Sequence, residues 1–314
     1  MNPPESNVPD VQYPIDAQHI TRVFGKVVAT HDLTLRVERA KTCGFIGLNG
    51  AGKTTAIRMM VGLLRPHKGT INIMGMPQPA QAHAIKEFVG YVPDRPNIYP
   101  WMRVSEAIEF VKTFHRRWNN ERSAEMQKLF KLEPTRKVKH LSKGQAAKLS
   151  LLLAIAHDPP VLILDEPTSG LDPLVRDEFL EGVLAVTAQR EQTVLFSSHT
   201  LADVQRLADT VAVMHNGRLL LHTPVDQLLD QTKRIRAVME DAQGPHEAPP
   251  GLLFQQIRGR EWLITVEKFS PELIEFVRTR NRVSHLDVED MSLDDVFKDI
   301  VRGQQEAELA REAV

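Results

Sequence analysis

Residues Gly47-Leu48-Asn49-Gly50-Ala51-Gly52-Lys53-Thr54 satisfy every fixed position of the phosphate-binding loop pattern. Glycines at these spacings let successive backbone N–H groups turn inward and cradle phosphate oxygens. Lys53 would reach the β- and γ-phosphates of a nucleotide, and Thr54 would ligate its Mg²⁺. The contacting set is Gly47, Asn49, Gly50, Ala51, Gly52, Lys53, Thr54 and Thr55. The alternative is a chance glycine-rich turn. The apolar run Thr42–Ile46 before it and the helical stretch Lys53–Leu64 after it argue for the loop, which requires strand, turn and helix in that order.

A second chemical element is Val161-Leu162-Ile163-Leu164-Asp165-Glu166, an apolar strand ending in two carboxylates. Carboxylates at the C-terminal edge of a buried parallel strand stand where ligands bind in open α/β sheets. Asp165 would hold Mg²⁺, directly or through water, and Glu166 would polarise an attacking water. Alone, the pair could be two solvated acids at a strand end. Leu141-Ser142-Lys143-Gly144-Gln145 precedes a helix, and Ser142 with the Gly144 backbone would make an anion site at its N-terminus. A plain helix cap explains Ser142 equally well.

The elements that must position these residues read as follows. Short Val-, Leu-, Ile- and Phe-rich runs at Val161–Leu164 and Thr193–Ser197 suit parallel strands buried on both faces, joined by a helix from Pro173 to about Ala188. Apolar segments at Val27–Ala29 and Leu33–Val37 and a β-rich run at Gly69–Met74 precede a mostly helical stretch from about Asn97 to Ala156. Beyond Leu229 the texture changes. Ile235–Met239, Leu252–Ile257 and Trp262–Val266 read as strands, Ser270–Arg280 and Leu293–Val301 as helices, and Ser292 with Asp295 makes a capping-box pattern. The expected organisation is a flexible tail at 1–14, a nucleotide-binding unit at 15–230 with a helical part at 95–156, a small α+β domain at 232–303 and a frayed tail at 304–314.

The net charge of −1 over 314 residues provides no global basic field, so no nucleic-acid partner is expected. The single cysteine, Cys43, permits no intrachain disulfide and reads as a buried small hydrophobe. The start of the chain lacks the basic and apolar pattern of a signal peptide, and no apolar run approaches the ~20 residues that span a bilayer.

Taken in order, these motifs resemble the ABC ATPase family over roughly residues 15–229. Gly47–Thr54 stands as its Walker A, Leu141–Gln145 as its signature, Val161–Glu166 as its Walker B, Ser169-Gly170-Leu171-Asp172 as its D-loop and His199 as its switch histidine. The resemblance implies an α/β fold: a P-loop NTPase cassette with a RecA-like core, an antiparallel β subdomain and a helical subdomain. It implies two cassettes sandwiching ATP, each nucleotide lying between the P-loop of one and Ser142, Gly144 and Gln145 of the other, with Asp172 at the interface. It further implies that Phe24 stacks on adenine and that His199 senses the γ-phosphate. For Phe24 the alternative is a core aromatic; for His199, a helix-start residue bonded to backbone.

Two positions depart from the family pattern. Gly90-Tyr91-Val92-Pro93-Asp94 ends in aspartate where glutamine is usual, so Asp94 can ligate Mg²⁺ or accept a hydrogen bond but cannot donate as an amide does. Lys143 replaces a glycine in the signature. The C-terminal domain looks like the appendage of bacterial ABC ATPases that serve separate exporter permeases. The expectation is therefore an ATPase with ATP and Mg²⁺ as cofactors, catalytic groups in Glu166, His199 and Lys53, a second cassette and a membrane permease as partners, and a place on the cytoplasmic face of the inner membrane. The rival expectation is a soluble ABC ATPase of translation or DNA repair; one cassette without sustained heptads speaks against it.

Overall fold

The computed structural model describes residues 10–187, 192–241 and 244–312. By its internal contacts the chain divides between His222 and Thr223 into two compact units. The expected boundary lay near 230, seven or so residues later, because the helix that follows the division carries no change of texture to mark it.

The first unit holds two sheets. One is antiparallel in the order β2 (Val27–Val37), β1 (Ile15–Phe24), β4 (Lys68–Ile73) and β5 (Met76–Gln78). The two apolar segments of the sequence at 27–29 and 33–37 are thus one strand. The other sheet has six strands in the order β10 (Arg218–Pro224), β9 (Thr210–His215), β3 (Thr42–Ile46), β8 (Thr193–Ser198), β7 (Val161–Asp165) and β6 (Val89–Val92), with β9, β3, β8, β7 and β6 parallel. β7 and β8 are buried at every residue, as strands covered on both faces must be.

Helix α1 (Lys53–Met60) follows β3 and stops short of the expected Leu64; Ala56, Ile57, Met59 and Met60 join one core with Ile15, Leu33, Leu35, Ile71 and Phe45 from the two sheets. After the short α2 (Ala82–Ile85) and β6 come α3 (Val104–Lys112), α4 (Asn120–Leu129) and α5 (Lys143–Ile155), the helical part expected at 95–156. α6 (Pro173–Thr187) and α7 (Leu201–Leu207) complete the unit. Cys43 is fully buried, and burial pushes its thiol up to about 12, so it is packing rather than chemistry.

The second unit begins with α8 (Val225–Gln231) and carries an antiparallel sheet ordered β12 (Leu252–Arg258), β13 (Glu261–Val266), β11 (Lys233–Met239) and β14 (Val283–Asp290), with α9 (Pro271–Asn281) and α10 (Leu293–Glu312). Trp262, Ile264, Ile235 and Ala237 pack against Leu273 and Val277 of α9. Ser292 accepts from the Asp295 backbone N–H at 3.2 Å, the cap its spacing indicated.

Two tails are corrected. α10 runs through Glu312, so residues 304–312 are helix rather than a frayed end. Of the expected N-terminal tail, residues 1–9 lie outside the described residues, while 10–14 are tied down: Gln12 O accepts from Arg39 N at 3.0 Å and Pro14 O from Met74 N at 2.8 Å. Among the described residues no helix is long and apolar enough to cross a membrane.

Candidate functional site

The P-loop is fixed by backbone crowding as well as by sequence. Gly52 has φ 106°, and a Cβ placed there would lie 2.0 Å from the carbonyl oxygen of Ala29; only glycine fits. Lys53, the first residue of α1, is buried and folds back over the loop, donating to Gly47 O at 2.7 Å. Its Nζ also lies 3.1 Å from Oε1 of Glu166, just past the end of β7.

The two carboxylates are held in different ways. Asp165 is buried; its Oδ1 accepts from Thr54 Oγ1 at 3.1 Å and Ser197 Oγ at 3.0 Å, while Oδ2 is buried without a partner. Burial pushes the Asp165 pKa up, the hydrogen bonds from Ser197 and Thr54 pull it back, and the charges of Asp94 and Glu166 add to the upward push. A buried, unpaired carboxylate oxygen beside a threonine hydroxyl is a donor set that fits a hard divalent cation. Glu166 sits at φ 49°, a left-handed conformation rare for a side chain other than glycine. Its N–H donates to Ser197 Oγ at 2.9 Å, and its Oε2 lies 2.6 Å from Nδ1 of His199 and accepts the His199 N–H at 3.3 Å.

Lys53, Glu166 and His199 thus form one chain of contacts across the floor of a cleft of about 600 Å³. Its walls include Asn49, Gly50, Ala51, Gly52, Thr54, Thr55, Asp94 and Ser169. The structure therefore brings together the P-loop, both carboxylates' strand end, His199 and Asp94, residues up to 150 positions apart in sequence. Asn216 and Gly217 of the β9–β10 turn also line the cleft and carry no motif that sequence reading could have used.

Phe24 is 44% exposed, which removes the core-aromatic alternative. The cleft wall beside it is made by Val27 and Val28, and the Phe24 ring lies against the Arg22 guanidinium, 4.8 Å from its centroid. Phe24 and Val27 are cross-strand partners and so project from the same face of the hairpin. The signature residues do not join this cleft within one chain. Ser142 caps α5 in a reciprocal box with Gln145: Gln145 N donates to Ser142 Oγ at 3.2 Å and Ser142 N to Gln145 Oε1 at 3.1 Å. Gly144 is buried where a Cβ would meet Val175 at 2.0 Å, so its lack of a side chain is also a packing requirement. Asp172 caps α6, accepting from Val175 N at 3.1 Å.

Known proteins are similar to this chain in sequence and in fold. The ABC transporter family profile matches residues 30–169. The Nod factor export ATP-binding protein I of Burkholderia orbicola is 36% identical over 210 residues, covering 65% of this chain and 69% of that one. The chain belongs to the ABC transporter ATP-binding family. It is the ATP-binding and ATP-hydrolysing subunit of an ABC transporter. A second ABC transporter ATP-binding protein, YhaQ of Bacillus subtilis, is 29% identical over 288 residues, 89% of this chain and 95% of its own, so that likeness extends across the C-terminal unit. Among solved structures, a dimeric bacterial ABC transporter cassette superposes with a TM-score of 0.62 at 20% identity, covering 67% of this chain and 98% of that one; at that identity it speaks to the cassette fold.

Proposed function

We propose that this ABC ATPase drives export through a separate membrane permease, working as a pair of cassettes with Mg²⁺-ATP bound between them. The observation that carries the catalytic part is the Lys53–Glu166–His199 chain on the cleft floor. Phosphates entering the cleft would compete with Glu166 for the Lys53 ammonium. Glu166 would then be free to accept a proton from the attacking water while His199 holds its other oxygen. Bound Mg²⁺ would offset phosphate charge; Thr54 and Asp165 are the residues that would hold it, with Asp94 at the same cleft.

In this reading Phe24 closes on the adenine from the hairpin, and Ser142, Gly144, Gln145 and Asp172 act across the cassette interface. Satisfied caps at Ser142 and Asp172 keep those loops rigid while leaving them outside their own chain's cleft. The dimeric form of the related bacterial cassette supports the pairing.

The permease reading draws on an apolar groove of about 470 Å³ beside the helical part, lined by Tyr91, Met102, Phe110, Phe114 and Leu153 among others. Tyr99 stacks on Trp101 at 4.7 Å and meets Phe110 at 5.7 Å, and Phe110 meets Phe114 at 5.1 Å; all four rings are exposed. A contiguous exposed aromatic surface of this kind marks a protein partner. We assign it to a cytoplasmic segment of the permease; on this reading the subunit works at the cytoplasmic face of the membrane. The export direction rests on relatives such as the Nod factor export protein. Affinity purification from detergent extract tests this: a multi-span membrane protein should co-purify with the parent chain and be lost with Trp101→Ala/Phe114→Ala. Recovery of no membrane protein with the parent chain would sink the transport reading.

A further inference from the structure

Ser197 belongs to no phosphate-binding or acidic motif, yet it touches both acids of the site. The parallel register of β7 and β8 sets Ser197 opposite Asp165. Its side chain is fully buried. A hydroxyl has one hydrogen to give and lone pairs to receive. Here the hydrogen goes to Asp165 Oδ1 at 3.0 Å, and a lone pair receives the N–H of Glu166 at 2.9 Å. Both contacts together leave the hydroxyl no freedom to rotate.

The Glu166 N–H needs this acceptor. Glu166 follows the last residue of β7, so its amide has left the strand ladder, and it stands at φ 49°. Its side chain is nearly buried, and a backbone N–H left unpaired in such a place is costly. Packing alone does not ask for a hydroxyl here, since the preceding residues Val194, Leu195 and Phe196 fill β8 with apolar side chains. From this geometry we infer that Ser197 is a positioning residue for hydrolysis. Asp165 anchors its hydroxyl, and the hydroxyl holds the Glu166 backbone in the left-handed turn that aims the carboxylate across the cleft floor toward Lys53 and His199. This rests on the reading of Glu166 as the carboxylate that accepts a proton from water.

The decisive comparison is Ser197→Ala against the parent, with Ser198→Ala as the neighbour control, because among the described residues Ser198 Oγ is engaged with the Thr200 backbone and with neither acid. Loss of one hydrogen bond to a poised catalytic group should lower kcat about tenfold or more. KM for ATP should change little, and so should the affinity for a fluorescent ATP analogue, measured in EDTA and again with Mg²⁺. Single-turnover hydrolysis then closes a double-mutant cycle. In a Glu166→Gln background, Ser197→Ala should cost nothing further, because there is no proton acceptor left to aim. The inference is overturned if Ser197→Ala keeps the parent kcat. It is equally overturned if Ser197→Ala slows hydrolysis by the same factor with Glu166 as with Gln at that position, the behaviour of a residue that only supports the fold. If Glu166→Gln itself turns over at the parent rate, the reading of Glu166 has failed instead, and the two failures are told apart by that single variant.

Discussion

Nζ of Lys53 lies 3.1 Å from Oε1 of Glu166, and neither side chain is open to solvent beyond 13%. The same ammonium reaches the Gly47 carbonyl at 2.7 Å. The Lys53 ammonium therefore already has partners, two loop carbonyls and the Glu166 carboxylate, and Glu166 is held by that cation. On the proposed reading, entry of a triphosphate would exchange one anion for another at Lys53, so that nucleotide binding and release of Glu166 would be two sides of one event. The Glu166 carboxylate and the Gly47 carbonyl explain why a buried lysine is tolerated without nucleotide.

Lys53→Ala should remove the offset to phosphate charge and leave Glu166 bound to His199 alone. Affinity for ATP should fall on the order of a hundredfold or more, since charge-assisted hydrogen bonds are worth roughly 1.5–3 kcal/mol each. Titration with a fluorescent ATP analogue and a steady-state ATPase assay check this. Hydrolysis at the parent rate would refute the assignment of Gly47–Thr54 as the nucleotide loop.

Asp165→Asn should trade function for stability. Burial holds the Asp165 carboxyl above its ordinary pKa, so folding opposes the ionised form. The cost is absent below the ordinary carboxylate range, where both states are protonated, and is complete once pH exceeds the raised folded value. Removing the charge relieves it at neutral pH. The variant should melt a few degrees higher than the parent without nucleotide, taking roughly 1–3 kcal/mol for a buried unpaired group and about 2–4 °C per kcal/mol at this domain size. The gain should vanish in acid, and Mg²⁺-dependent turnover should be lost. Thermal melts at several pH values decide it; an unchanged or lower melting temperature at neutral pH contradicts the argument.

Much of this site was legible because its chemistry is carried by short contiguous motifs. Gly47–Thr54 and Val161–Glu166 each combine an apolar strand with polar residues at its C-terminal end, and that local pattern survives folding unchanged. Ser197 was illegible for the opposite reason: a serine within Val194–Ser198 acquires its meaning only when β8 pairs with β7. The fold shows the same division. β7 and β8, apolar throughout, announced themselves, whereas β14 has Leu286 as its one buried residue and gives no alternation to read. The far half of α10 reads as a tail in the sequence because residues 304–312 lack an apolar stripe, Leu309 being 66% exposed; good helix formers on a helix already nucleated by Leu293, Val296, Ile300 and Val301 carry it on.

Phe24→Ala should raise KM for ATP with a smaller effect on kcat. Stacking of a base on an aromatic ring is worth roughly 1–3 kcal/mol and differs little between ground and transition states. The ring is exposed and carries a guanidinium on one face, so its removal should leave the melting temperature near the parent value. Steady-state kinetics with ATP and a melt of the apo protein check both halves. An unchanged KM would assign the base contact to Val27 and Val28, which line the cleft wall.

Glu166→Gln should trap a closed pair of cassettes. The amide matches the carboxylate in shape, keeps a carbonyl oxygen for the His199 contact and still fills the space beside Lys53. It cannot accept a proton from water, so hydrolysis should slow by on the order of 10²–10⁴. Loss of the negative charge also removes the partner that competes with phosphate for Lys53, and ATP should bind more tightly to the variant than to the parent. Nucleotide that is bound and not consumed bridges the P-loop of one chain to the Ser142 loop of another, and binding that favours the dimer shifts the equilibrium by mass action. Size-exclusion chromatography in Mg²⁺-ATP should therefore show the variant as a dimer that returns to monomer when nucleotide is removed, while the parent stays mostly monomeric. Ser142→Arg in the same background should abolish the dimer. Ser142 is exposed at the start of α5, so a bulky side chain there is tolerated by the fold, at about 1 kcal/mol for the lost cap, but not by an incoming γ-phosphate. A Glu166→Gln protein that remains monomeric with nucleotide bound would exclude the isolated homodimer and make pairing depend on a different cassette or on the permease.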